Sequence, residues 1–234
     1  MSRTTLLLAA LLVIPACDSA DKADAKTAAK KDEATPASKD EAAPAGKAEA
    51  APEKPAIDPW KKKLDGRVLA DSGLGKDGKL TAFDIVNCES GEKYCQVCRF
   101  GQSPKIMAVG TVDDPEFHDD LKDLDAIVKK YGDDKIKAFA VVTDIVDGKG
   151  ITPKDVADAQ AKAKALREKL AISIPVVVPA PEDDGGNREW DEYYNITKSR
   201  TVMFADGHNA VKYSAVGPED FADLDTAIKS VIES

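Results

Sequence analysis

The chain of 234 residues has no apolar run long enough to cross a membrane as a mature helix. The longest at its start, Leu6 to Ile14, is about half of the roughly twenty residues that a bilayer span needs. Histidine is scarce, with two residues, and cysteine occurs four times. No His or further Cys stands near Cys88, Cys95 and Cys98 to complete a tetrahedral zinc set. Covalent haem attachment is excluded because Arg99, not His, follows Cys98. A basic patch is absent too: 33 Lys and Arg stand against 42 Asp and Glu, a formal net charge of −9. An acidic chain of this kind suits neither polyanionic nucleic acid nor attachment by charge to anionic lipid. Proteins and small molecules remain as partners, and no cofactor is expected.

What is present falls into three stretches. Residues 1–17 place Arg3 before the apolar run and close on Val13-Ile14-Pro15-Ala16-Cys17, the layout of an export signal. The closing pentapeptide resembles the bacterial lipoprotein box, in which a small residue precedes the cysteine that receives lipid. That resemblance implies a signal peptide, lipidation at Cys17 and a membrane-anchored, periplasm-facing place in the cell envelope. Ordinary signal cleavage beside a stray cysteine is the alternative. Residues 18–57 consist largely of Ala, Lys, Asp, Glu and Pro and contain no aromatic residue. They cannot bury enough apolar surface to offset chain entropy, so a disordered linker is expected. As a flexible coil it would reach about 35 Å. Residues 58–234 hold every Trp, Tyr and Phe and suffice for one domain with a substantial core.

The domain alternates strand and helix patterns. Strands are expected at Thr81 to Val86, Lys105 to Val109, Ile136 to Val142 and Pro175 to Val178. A helix carries Phe117, Leu121, Leu124, Val128 and Tyr131 on one stripe and stops at Gly132. Thr152-Pro153-Lys154-Asp155 reads as a cap, a first-turn proline and an acid, opening a helix with Val156, Ala159, Ala163, Leu166 and Leu170 inward. A brief helix at Glu189 to Tyr194 precedes a hairpin, Thr201 to Ala205 and Ala210 to Ala215, turning at Asp206-Gly207. Gly217-Pro218 then opens a last helix with Phe221, Leu224, Ile228 and Val231 inward.

Tyr194-Asn195-Ile196-Thr197, Arg200-Thr201-Val202-Met203-Phe204, Asp206-Gly207 and Val216-Gly217 stand in that order near the C-terminus. The set resembles the thioredoxin superfamily, in particular its redoxin branch. The resemblance implies an α/β thioredoxin-like fold: a central mixed sheet flanked by helices, with an extra helix-strand insertion and an N-terminal strand extension. Two positions depart from the family. Arg200 stands where the family's cis-proline lies, and Gly110 to Pro115, where its catalytic cysteines belong, contains no thiol. Peroxiredoxin chemistry, which needs a cysteine there, is not supported.

The thiols lie elsewhere. Cys95-Gln96-Val97-Cys98 is a Cys-x-x-Cys pair, but it precedes the strand at Lys105 to Val109, whose five residues rise about 17 Å. Arg99-Phe100-Gly101 after it does not read as a helix opening. With Cys17 lipidated, Cys88 leaves an odd count of three. Two main readings stay open. Cys95 and Cys98 exchange disulfides with protein thiols, the family's habit making Cys95 the attacker and Cys88 a candidate resolving thiol. Otherwise the cysteines staple a loop in a non-catalytic binding or scaffold lipoprotein. Cys88, Cys95 and Cys98 as three metal ligands is a lesser alternative. His118, beside Asp114, Glu116 and Asp119, reads as a solvated helix start, His208 as a surface turn, and Trp190, Tyr193 and Tyr194 as core.

Overall fold

Three short runs of apolar and β-branched residues, Ile106 to Val109, Ala138 to Val142 and Val176 to Val178, are buried throughout, as strands covered on both faces must be. In the computed structural model, which describes residues 58–183 and 185–233, they form the centre of a seven-stranded sheet. The expected export signal, Cys17 and the expected linker lie outside the described residues. The elements in chain order are α1 (Pro59–Asp65), β1 (Ile85–Asn87), β2 (Lys93–Tyr94), α2 (Gln96–Phe100), β3 (Lys105–Gly110), α3 (Pro115–Tyr131) and β4 (Lys137–Val142). There follow β5 (Asp144–Val146), β6 (Lys149–Ile151), α4 (Val156–Leu170), β7 (Val176–Pro179), a π-helical turn (Glu189–Tyr193), β8 (Thr201–Ala205), β9 (Val211–Val216) and α5 (Ala222–Ile232).

The sheet order is β2-β1-β7-β4-β3-β8-β9. β3, β4 and β7 run parallel, while β1 and β8 flank them antiparallel. From β3 onward this is the expected order, with α4 and β7 as the inserted pair and β1 and β2 as the strand extension. One face packs Phe117, Leu121 and Leu124 of α3, Leu166 of α4 and Leu224 and Ile228 of α5 against Ile106, Ala140 and Val176. Burying each large side chain stabilises by about 2 kcal/mol. The other face packs Phe83, Val97, Trp190 and Tyr194 on Met107, Phe139 and Met203. Trp190 and Tyr194 are buried and Tyr193 nearly so, which confirms the core reading of these aromatics.

Several local expectations differ from the structure. Residues 81–84 precede the strand instead of opening it, because Thr81 N–H donates to Tyr194 Oη and its carbonyl accepts from the same hydroxyl. Thr152 does not cap α4: its N–H and Oγ1–H donate to Asp191 Oδ1 at 2.7 and 2.8 Å. Asp155 is the cap, accepting the N–H of Asp158 at 3.0 Å. α5 begins after Phe221, not at Pro218. The β5-β6 hairpin, turning at Asp147-Gly148 with both residues at positive φ, and α1, capped by Asp58 before Pro59, stand in addition to the expected elements.

Candidate functional site

Tyr94 lies opposite Ile85, which in turn lies opposite Pro179 at the carboxyl end of β7. From there the chain crosses one face of the sheet to reach Lys105, where β3 starts. Cys95-Gln-Val-Cys98 rides on this crossing. Contrary to the reading of Arg99-Phe100-Gly101 as non-helical, α2 covers Gln96–Phe100, with Cys95 as its N-cap. Val97 is buried in the apolar cluster, and the Phe100 ring stands edge-on to Phe139 at 5.8 Å. These two anchors allow a single helical turn to form where propensity alone is too weak. Gly101, at φ +53, ends it in a conformation that glycine adopts without strain.

Cys95 and Cys98 are joined by a disulfide, with Cα atoms 5.2 Å apart. Cys98 is exposed and Cys95 half-buried. Cys98 N–H donates to Cys95 Sγ at 3.0 Å, and Arg99 N–H to the Cys95 carbonyl at 3.0 Å. Around the pair, Asn87 Nδ2 donates to Tyr94 Oη, which donates to the buried Gln96 Oε1. The Arg99 guanidinium lies 4.2 Å from the centre of the Tyr94 ring and 3.5 Å from Glu92. Beyond the helix, the buried Lys105 ammonium donates to Gly101 O at 2.8 Å and to Asn209 Oδ1 at 2.6 Å. Burial pushes the Lys105 pKa down, against the pull of Asp206.

Cys88 does not join them. It packs in the apolar cluster on the opposite face of the sheet and is 1% exposed. Burial raises its pKa, which keeps it a neutral, inert thiol. The three cysteines therefore do not converge as metal ligands, and no group of three potential ligands is assembled among the described residues.

At the far end of β3, where the family resemblance places catalytic cysteines, the structure holds no sulfur chemistry. Gly110 packs under Phe117, whose ring would lie 2.5 Å from any added Cβ. Asp114 caps α3 by accepting the N–H groups of Glu116 and Phe117. His118 Nε2 bonds Val112 O at 2.8 Å, tying off the helix start, and His208 is exposed in its turn. Arg200, at the position expected of a cis-proline, adopts φ +59. Its guanidinium donates to both carboxylate oxygens of the buried Asp120 at 2.8 and 3.0 Å, to Glu116 and to Pro218 O. The Asp120 carboxylate holds Arg200 firmly charged. Sequence reasoning missed this clamp, although Glu116 and Asp120 stand four apart on one helix face.

No family model and no curated protein matches the chain. Solved structures do. A thiol-disulfide isomerase from Corynebacterium glutamicum superposes with a TM-score of 0.51 at 12% identity, covering 68% of this chain and 97% of that one. The thioredoxin domain of a thiol-disulfide oxidoreductase from Bacteroides vulgatus gives 0.51 at 13%, covering 68% and 99%. A thioredoxin-like protein from Porphyromonas gingivalis gives 0.50 at 16%, covering 66% and 92%. At such identities the likeness is one of fold, and the fold is thioredoxin-like.

Proposed function

We propose that the protein exchanges disulfides with protein thiols through Cys95 and Cys98, on a lipid-anchored domain outside the cytoplasm. The observation that carries this reading is the asymmetry of the bonded pair: Cys98 is exposed, whereas Cys95 Sγ receives the Cys98 N–H. A partner thiolate attacks Cys98 Sγ, the sulfur–sulfur bond breaks, and the electron pair leaves on Cys95 Sγ as a thiolate that the N–H stabilises. A second partner thiolate then attacks its own sulfur in the mixed disulfide, releasing Cys98. The partner ends oxidised by two electrons and the pair reduced. Cys98 is thus the sulfur attacked and Cys95 the leaving group, the reverse of the family's habit. Cys88 has no part in this cycle. The likeness of Val13 to Cys17 to a lipoprotein box supports the anchored, envelope-facing placement, and no helix among the described residues is long and apolar enough to cross a membrane.

The alternative, a structural staple in a non-catalytic binding module, draws on the Arg200 clamp beside the carboxyl end of β3. Titration of the native protein against glutathione, followed by alkylation and mass spectrometry, separates the two. Exchange requires Cys95 and Cys98 to become alkylated while the fold persists, at a potential near about −270 mV, the thioredoxin value. A pair that opens only as the domain unfolds is a staple.

A further inference from the structure

In an antiparallel ladder each residue turns its main-chain N–H and C=O either toward the neighbouring strand or away from it. β9 closes the sheet and has β8 as its strand partner. Gly217 N–H donates to Arg200 O at 2.9 Å, which sets the phase. Tyr213 and Ala215 face β8, while Ser214 and Val216 turn their main-chain groups outward.

The chain uses the beginning of this outer edge itself. Asp77 N–H donates to Val211 O, Val211 N–H to Gly78 O and Leu80 N–H to Asn209 O, at 2.9, 2.8 and 2.9 Å. Lys79 bridges Ala210 antiparallel. Below residue 77 the segment turns aside, since Gly75 N–H goes to Val68 O and Gly73 N–H to Asn195 O. A groove of about 560 Å³ opens there between Ala70, Gly75 and Lys76 on one side and Tyr213 to Ala215 on the other. It continues beside Ser72 and Val216. Ser214 Oγ, covered in the groove wall, meets no hydrogen-bond partner among the described residues, a state that native proteins seldom leave without a reason. Glu219, Asp220 and Asp223 line the groove, and none forms an ion pair among the described residues. Lys212, also in the lining, is already paired with Asp206 at 3.0 Å.

We propose that the outer edge of β9 is a strand-addition site: an extended segment of a partner polypeptide, carrying Lys or Arg toward Glu219, Asp220 and Asp223, continues the ladder that residues 77–80 begin. Main-chain bonds to Ser214 and Val216 supply the attachment, and the acidic wall selects the charge. The site is independent of the disulfide.

The test titrates the full chain, isotope-labelled, with a short peptide alternating Thr and Val and ending in two lysines. Amide exchange is read at Ser214 and Val216. Both amides should exchange freely without peptide and become protected with it. Ser214→Pro deletes an N–H that bonds nothing within the sheet, so the fold should persist, but peptide binding should weaken by about tenfold or more. Replacing the two lysines by glutamates, or changing Glu219→Lys, should weaken it about threefold. Protection of both amides in the free chain, or binding indifferent to Ser214→Pro, overturns the proposal. So does the absence of binding at millimolar peptide. Protection that rises with protein concentration alone assigns the edge to a second copy and overturns the assignment to a partner.

Discussion

The segment before β3 and the segment after it differ in what they hold: a disulfide in the first, an ion-pair clamp beside the second. At the carboxyl end, α3 offers a helix start to the site, but Asp114 caps it and Arg200 seals the approach with Asp120 and Glu116. In the segment before β3, a one-turn helix lying on a sheet face carries a disulfide with one exposed cysteine. If the pair exchanges disulfides as proposed, the difference teaches that the chemical requirement is local: an N-cap sulfur, a nearby N–H and a route for a partner. A short helix can meet it if the sheet face beneath anchors that helix.

Substitutions that act at one end and spare the other put this contrast at risk. The largest effect belongs to the pair. Cys95→Ser should abolish turnover, and its lone Cys98 thiolate, attacking an oxidised partner's disulfide and expelling one partner thiolate, should be trapped as a mixed disulfide seen by mass spectrometry. Adducts on Cys98→Ser instead, at Cys95, would reverse the assignment of the attacked sulfur. Next comes the clamp: Arg200→Met strands the buried Asp120 carboxylate and should destabilise by about 3 kcal/mol in urea, while disulfide exchange proceeds as before. Loss of exchange in the folded variant would show that the carboxyl end of β3 takes part after all.

A smaller, pH-dependent effect sits at Asp125, five residues beyond Asp120 on α3. Burial raises the Asp125 pKa, but bonds from Lys129, Ser173 and Ile174 outweigh it and hold the carboxyl below its usual value. A depressed pKa stabilises the fold above the unfolded-state value, and the contribution is lost as acidification protonates the folded carboxylate. Asp125→Asn should therefore be destabilised by about 1 kcal/mol near neutrality, with the gap narrowing below about pH 4. A gap constant with pH would refute the charge argument. Smallest is Cys88→Ala, which should cost about 1 kcal/mol by leaving a small void and leave exchange rates unaltered.

Much of the frame was legible because it rests on patterns that neighbours cannot easily override. The stripe from Phe117 to Tyr131, the run from Ala138 to Val142 and the Asp206-Gly207 hairpin each match a single periodicity or turn chemistry. Thr152 misled because its hydroxyl suits a cap equally well, and only Asp191, 39 residues away, decided otherwise. The disulfide pair was legible as chemistry but not as geometry. Nothing between Gln96 and Gly101 announces a helix, since Val97 and Phe100 favour one only when the Met107 and Phe139 face lies beneath them.

By itself the sequence determined the periodic elements, their order, the acidic balance and the presence of two cysteines at a spacing that can close a ring. These depend on residues near one another in the chain. Tertiary structure alone decided which sulfur faces solvent, that Cys88 belongs to the opposite face, and that Arg200 reaches back to Asp120 eighty residues earlier. Among the described residues it also left the outer edge of β9 without a strand partner beyond Val211. The reason is physical: burial, ion pairing and strand exposure are properties of segments brought together, and local preference carries no record of what will lie across the sheet.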